Sequence, residues 1–205
     1  MQLLANTTSP YVRIVRVAMI EKGLLIEPTI VDPWADDPRL RKANAATRVP
    51  TLITDDGIPL CESLLIMHWL EQTRPAPEWP SLFGTDTTGV LSSAGIALGV
   101  IDAAVHTIII RKVTAPAPFD ETPVGLRRRR TMAEGMQRLE AMAASGAVGG
   151  RGTGVPTLDA IGAVVALDYL RFRFGGEPWL PALPALDALS ASLRQRPSFA
   201  QTLPH

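Results

Sequence analysis

Between residues 2 and 73 the apolar positions change period several times. Gln2 to Ala5 reads as a short strand and Asn6 to Ser9 as a polar loop. From Pro10 the spacing becomes helical: Val12, Val15 and Met19 share one face, and Ile14, Val17 and Ala18 widen it. Proline suits the first position of such a helix, where its missing N–H costs nothing. Gly23 suits its stop, after about Lys22. A helix apolar on more than one side is expected beneath more than one neighbour. Ile26 to Val31 predicts a second strand, with Pro28 marking an edge position or a bulge. Trp34 to Asn44 reads as a short exposed helix with loops around it. Two β-rich runs, residues 47–54 and 58–63, flank Asp56-Gly57, a pair that can supply the φ > 0 positions of a tight hairpin. Pro50 opens the first run, where a lost donor is tolerated. Glu62-Ser63 then starts a helical pattern through Leu64, Leu65, Met67, His68, Leu70 and Glu71. The order is βαβ followed by ββα.

Thr73 to Ser81 holds Pro75, Pro77 and Pro80, a stiff segment that cannot continue a helix. It divides the chain into an α/β domain (1–75), a proline-rich linker (76–84) and an all-helical domain (85–205). Beyond it strand signals disappear. Thr87 to Val113 predicts a long apolar helix interrupted by Gly89, Gly95 and Gly99. Thr122-Pro123 supplies the cap and first residue of a helix ending near Ala144. Ser145 to Gly154 contains five glycines and predicts a flexible loop. Thr157 caps the next helix, with Ile161, Val164, Val165 and Leu167 apolar and Gly175-Gly176 as its stop. Leu183 to Arg194 makes a last amphipathic helix, followed by an irregular tail.

Composition narrows the function. With 46% hydrophobic residues in 205, the chain can bury a substantial core. Lys plus Arg and Asp plus Glu are 20 each, for a net charge of zero. That argues against a nucleic-acid partner, which needs a basic excess. The run Arg127 to Arg130 points all round its helix, and Glu134 and Glu140 offset it, so it reads as solvated surface. The single Cys61 excludes an intrachain disulfide and a cysteine-rich metal site, and reads as a small buried residue. His68, His106 and His205 lack metal-ligand spacing, so no metal is expected. No glycine-rich phosphate loop precedes a helix. No apolar run approaches the ~20 residues of a membrane span, and the N-terminus lacks a basic leader. A cytoplasmic protein without a membrane partner is the expectation.

Candidate chemistry lies at two helix starts and the extended backbone between them. Ser9 stands at the expected N-cap of the first helix, in the positive end of its dipole. A thiol bound there would ionise more readily than a free one, which titrates near ~8.5. Simple capping explains the same serine. Glu62-Ser63, at a helix N-terminus beside the extended Val49-Pro50 backbone, suits a small peptide bearing a carboxylate; a capping pair with a solvated glutamate is the plain alternative.

These segments resemble the glutathione S-transferase superfamily. The likeness is carried by Thr7-Thr8-Ser9-Pro10-Tyr11-Val12-Arg13, by Val49-Pro50 with Glu62-Ser63, and by Arg196-Pro197-Ser198-Phe199-Ala200-Gln201-Thr202. It covers essentially the whole chain. It implies a thioredoxin-like N-terminal domain with a mixed four-stranded sheet, a C-terminal helical bundle that forms the electrophile site, and a homodimer. It also implies glutathione as co-substrate and transfer of its sulfur to a small electrophile, as in detoxification. Ser9 would stabilise the thiolate, with Thr8, one position away, as the substitute. Val49, before a cis Pro50, would pair with the cysteinyl unit. Glu62 would meet the ammonium group and Ser63 the α-carboxylate of the γ-glutamyl end.

Arg13, one turn past Ser9, either faces the cleft or is solvated. Tyr11 either borders the second substrate or packs. Trp34, Arg39 and Arg48 compete for the glycyl end. Serine cannot form the mixed disulfide that cysteine forms in some relatives. A glutathione-dependent isomerase, peroxidase or lyase, or a binding protein without activity, fits the same scaffold. Two positions depart from the family pattern. Asp159 stands at N2 and Ala160 at N3, which leaves the capping box open. Asn44-Ala45-Ala46-Thr47-Arg48 replaces the more usual Asn-Pro-Leu-Gly and basic residue.

Overall fold

A computed structural model describes residues 1–149 and 154–205. The chain separates into two compact units, Met1–Leu82 with Arg194–His205, and Phe83–Leu193. The division falls inside the expected linker. The last twelve residues, assigned by sequence to the helical domain, belong instead with the N-terminal unit.

The first unit runs β1 (Gln2–Ala5), α1 (Pro10–Glu21), β2 (Thr29–Ile30), α2 (Pro38–Ala43), β3 (Thr51–Ile53), β4 (Pro59–Cys61) and α3 (Ser63–Thr73). Its four strands lie in the order β2-β1-β3-β4. β1 is parallel to β2 and antiparallel to β3, which is antiparallel to β4. This is the mixed sheet the sequence predicts. β2 is an edge strand, as Pro28 indicates, but only two residues long. In the hairpin only Gly57 takes positive φ (80°), so Asp56 is not needed for that purpose. Gly23, at φ 68°, ends α1 as expected.

Leu3 and Leu4 point to opposite faces of β1, and both are fully buried, so the sheet is covered on both sides. On one side Leu4 packs with Val31 and with Leu40 of α2. α1 packs against α3 and buries Val12, Ile14, Val15, Val17, Ala18 and Met19, the wide apolar surface its sequence shows.

The second unit contains α4 (Thr87–Thr114), a 3-10 turn at Phe119–Glu121, α5 (Pro123–Ala144), α6 (Leu158–Phe174) and α7 (Pro184–Leu193). Asp86 caps α4 through the Gly89 N–H (3.0 Å), and Thr122 caps α5 through the Gly125 N–H (3.0 Å). Every residue from Leu158 to Leu170 is buried, which makes α6 the central helix of this unit. It packs on α4 and α7. A Cβ at Gly162 would stand 3.1 Å from the Ala97 Cβ, so glycine lets α6 approach α4 closely. The Thr157 hydroxyl binds Asp159 and makes no cap bond to the backbone, so the capping box is open, as its sequence implies. Four residues of the glycine-rich loop, 150–153, lie outside the described residues.

Two expectations change. α4 is long and apolar enough to cross a membrane by length and composition, with a mean hydropathy of 1.8 in its most apolar window. A search for an uninterrupted apolar run misses it, because Gly, Ser and Thr punctuate it. In the fold it packs on α5 and α6. The tail, expected to be irregular, forms α8 (Pro197–Ala200), which packs on α1.

Candidate functional site

The register of the sheet collects the sequence-distant candidates. Leu4, Thr51 and Cys61 are paired in one row across β1, β3 and β4. β1 ends beyond this row, β3 begins at it and β4 ends at it. The Asn6–Ser9 loop, the Val49-Pro50 segment and the Glu62-Ser63 corner therefore all leave the sheet at the same end. Strands lie about 4.8 Å apart, so the three strand ends span about 10 Å, the scale of a short peptide. β2, parallel to β1, ends there too and leads toward Trp34.

At the first of these places Asn6 organises the loop. Its side-chain oxygen accepts from the Thr8 N–H (3.0 Å) and the Thr8 hydroxyl (2.8 Å), and its carbonyl accepts from the Ser9 N–H (3.2 Å). The Thr8 proton is thereby engaged. Ser9 is the N-cap of α1: its Oγ accepts from the Val12 N–H (3.3 Å), and Pro10 follows at N1. Capping uses a lone pair of the hydroxyl and leaves its proton free to donate. Among the described residues that proton has no acceptor. Capping and donation to a ligand are compatible in this serine rather than alternatives.

The second place is held by Asn44. Its Nδ2 donates to the Arg48 carbonyl and to the Thr51 Oγ1, both at 3.1 Å, and its Oδ1 accepts from the Ala46 N–H (2.9 Å). The Thr51 hydroxyl also donates to the Arg48 carbonyl (2.9 Å). Val49-Pro50 follows, with a cis peptide bond and a buried proline. Thr47 takes φ 50°, a left-handed value unusual for a β-branched residue. It lies in the Asn44–Arg48 stretch, whose sequence departs from the family pattern.

Glu62 makes the corner between β4 and α3 with φ 68° and ψ 125°. Non-glycine residues held in such regions gather at functional sites. No side chain caps α3, so its first-turn amides are available to an anion. Ser63, the first residue of α3, is buried, and its hydroxyl has no partner among the described residues. The exposed Glu62 carboxylate lies 3.8 Å from Arg48.

Among the three residues competing for one end of a peptide, Arg39 is engaged elsewhere. It donates to Asp37 (2.7 and 3.1 Å) and to the Ile30 carbonyl (3.3 Å), and its hydrogen bond holds the Asp37 carboxyl down to about 2. Trp34 is exposed, and Arg48 lies beside Glu62. Arg13 is buried, not solvated, and its Nε donates to Thr202 Oγ1 (3.4 Å). Tyr11 is half-buried at the second position of α1. Cys61 is half-buried at the end of β4. Among the described residues no group of three or more His, Cys, Asp or Glu side chains is arranged to hold a metal. Sequence reasoning missed Asn6 and Asn44. The spacing of Asn6 from Thr8, typical of an Asx turn, is a signal for the first; the second braces residues up to seven positions away.

Residues 3–78 match the family model described as glutathione S-transferase, N-terminal domain. Over 204 residues the chain is 28% identical to an uncharacterized GST-like protein, YibF, of Escherichia coli (strain K12), covering 100% of this chain and 98% of that protein. A glutathione S-transferase from Methylobacterium radiotolerans, crystallised with glutathione sulfonate, superposes with a TM-score of 0.84 at 29% identity, covering 100% of this chain and 94% of the other. A glutathione transferase family member from Pseudomonas fluorescens Pf-5, with bound glutathione, gives 0.80 at 28% identity, covering 100% and 98%. The N-terminal match and these full-length likenesses agree with the four-stranded mixed sheet and the helical second unit: residues 3–78 form a glutathione S-transferase N-terminal domain, and the whole chain is similar to members of the glutathione S-transferase superfamily.

Proposed function

We propose that this protein is a glutathione transferase that joins the sulfur of glutathione to a small electrophile. The observation that carries the reading is the paired row Leu4–Thr51–Cys61, which brings Ser9, Val49 and Glu62-Ser63 to one end of the sheet. Ser63 and the uncapped N-terminus of α3 are suited to the γ-glutamyl carboxylate, and Glu62 to the ammonium group beside it. Val49, two residues before the β3 ladder, offers backbone groups to the cysteinyl unit. The Ser9 proton donates to the sulfur, and the N-terminus of α1 favours its negative charge. The thiol releases its proton to solvent, the thiolate lone pair then forms the new carbon–sulfur bond, and the leaving group departs with its bonding electrons. Catalysis comes from holding the thiolate ionised and in place. Exposed Ile58, Leu64 and Leu65 on the β4–α3 region support assembly as a homodimer, which sedimentation equilibrium reads directly.

The test is a thiolate absorbance titration of the glutathione complex. Ser9→Ala is expected to raise the thiol pKa, each unit representing about 1.4 kcal/mol lost from the ionised form. Glutathione affinity should change much less. Superimposed curves for wild type and Ser9→Ala would end this reading; a shift with Thr8→Ala instead would move the role by one residue.

A further inference from the structure

The Arg194–His205 segment makes a polar clasp on α1. The Arg196 guanidinium donates to both oxygens of Glu21 (2.8 and 2.7 Å), and the Ser198 hydroxyl donates to the same carboxylate. The Glu21 side chain is only 7% exposed, while that of Arg196 is 32% exposed. One turn further on, the buried Thr202 donates its hydroxyl proton to the Ser198 carbonyl (2.7 Å). That orientation leaves lone pairs for Arg13, whose Nε donates to Thr202 Oγ1 (3.4 Å). Arg13 is itself in the first turn of α1: its backbone N–H donates to the Ser9 carbonyl (3.1 Å). A second tie reaches the same loop, where the Thr7 hydroxyl donates to the His205 carbonyl (3.2 Å). Residues near 200 thus brace, from two sides, the turn that aims Ser9.

We infer that Thr202 is a positioning residue for Ser9, acting through Arg13, and that the Arg194–His205 segment holds the first turn of α1 in the geometry that directs the Ser9 hydroxyl at the sulfur. This inference rests on the role proposed for Ser9. Binding of the peptide at Val49, Glu62 and Ser63 does not pass through these contacts. Loosening the clasp should therefore weaken thiolate stabilisation while sparing affinity. A residue that only holds the fold together would not show that separation.

The experiment titrates the thiol of bound glutathione in wild type, Ser9→Ala, Thr202→Val and Thr202→Ser. It is run at a temperature where circular dichroism shows each variant fully folded. Thr202→Val keeps the side-chain shape and removes the hydroxyl. It is expected to raise the thiol pKa by about half a unit to one unit, lowering turnover below that pKa about 3- to 10-fold, with the dissociation constant of glutathione within about twofold of wild type. Thr202→Ser should restore the wild-type curve. If Ser9→Ala is displaced but Thr202→Val coincides with wild type, the positioning role is overturned and the role of Ser9 stands. If Ser9→Ala coincides with wild type, the role of Ser9 falls and the inference falls with it. Should Thr202→Val not fold, Glu21→Gln weakens the same clasp with Thr202 in place. A shift in its curve supports the inference, and a wild-type curve overturns it.

Discussion

Lys22 is fully buried, and its ammonium group tests how the first unit tolerates an internal charge. The Nζ lies 2.7 Å from Glu71 Oε2 and donates to the Arg74 carbonyl, also at 2.7 Å. Glu71, 16% exposed, accepts further hydrogen bonds from the Ser81 hydroxyl (2.7 Å) and the Leu82 N–H (3.1 Å). Lys22→Met keeps most of the volume, so the loss is electrostatic rather than a cavity. Breaking a buried ion pair from one side costs about 3–5 kcal/mol. Two remaining donors and partial exposure of Glu71 place this case at the lower end. The Arg74 carbonyl, left without its lysine, adds about 1 kcal/mol. The expected loss is about 3–4 kcal/mol at pH 7.

The pH dependence gives the result its sign. In wild type, burial pushes the Glu71 carboxyl up, but the bonds from Lys22, Ser81 and Leu82 outweigh it and the net shift is downward. The stability from this group is therefore present above its unfolded pKa, about 4.3, and is lost as pH falls through the lower folded value. In Lys22→Met, burial is opposed by two bonds instead of three, so the folded pKa rises. Protonation then relieves the variant while it harms wild type, and the gap should narrow from pH 7 to pH 4. Urea denaturation followed by tryptophan fluorescence reads it, since Trp79 stacks 4.5 Å from the Arg74 guanidinium in the same network. The double variant Lys22→Met/Glu71→Gln should recover part of the loss. A loss below about 1 kcal/mol, or a gap that does not change with pH, would refute the reasoning.

Two further outcomes follow from the site. Ser63→Ala is expected to weaken glutathione binding by about 1–3 kcal/mol, the range for a hydrogen bond to a charged group, and calorimetry on a folded variant that shows an unchanged dissociation constant would remove Ser63 from the peptide site. Thr47→Gly should stabilise the protein by about 0.5–1 kcal/mol: relief of the left-handed strain, about 1–2 kcal/mol, exceeds the added entropy of glycine in the unfolded chain. Thermal unfolding checks it, and a lower Tm for Thr47→Gly would show that the turn carries no strain.

Local rules determined much of this protein before any tertiary contact was known. Pro10 after Ser9, Pro123 after Thr122 and the positive-φ Gly23 mark helix boundaries because caps and stops act within one turn. The alternation from strand to helix and back gave the order of elements in the first unit, and Pro28 marked its edge strand, since a missing donor is excluded from a central position. Ser9, Val49 and Glu62-Ser63 were legible as candidates, each from a few neighbouring residues and a family likeness. What the sequence left open depended on contacts between distant residues. The row Leu4–Thr51–Cys61, which brings those candidates to one sheet end, is a choice of register, and register is decided by which faces are buried. By sequence Arg13 either faces the cleft or is solvated, and Lys22 marks only the end of α1; both are buried because Thr202, 189 positions from Arg13, and Glu71, on α3, supply partners that offset desolvation. The tail looked irregular because a four-residue helix has too few internal bonds to announce itself. It becomes a helix where Glu21 binds Arg196 and Ser198, a contact across more than 170 residues that only the folded chain brings into being.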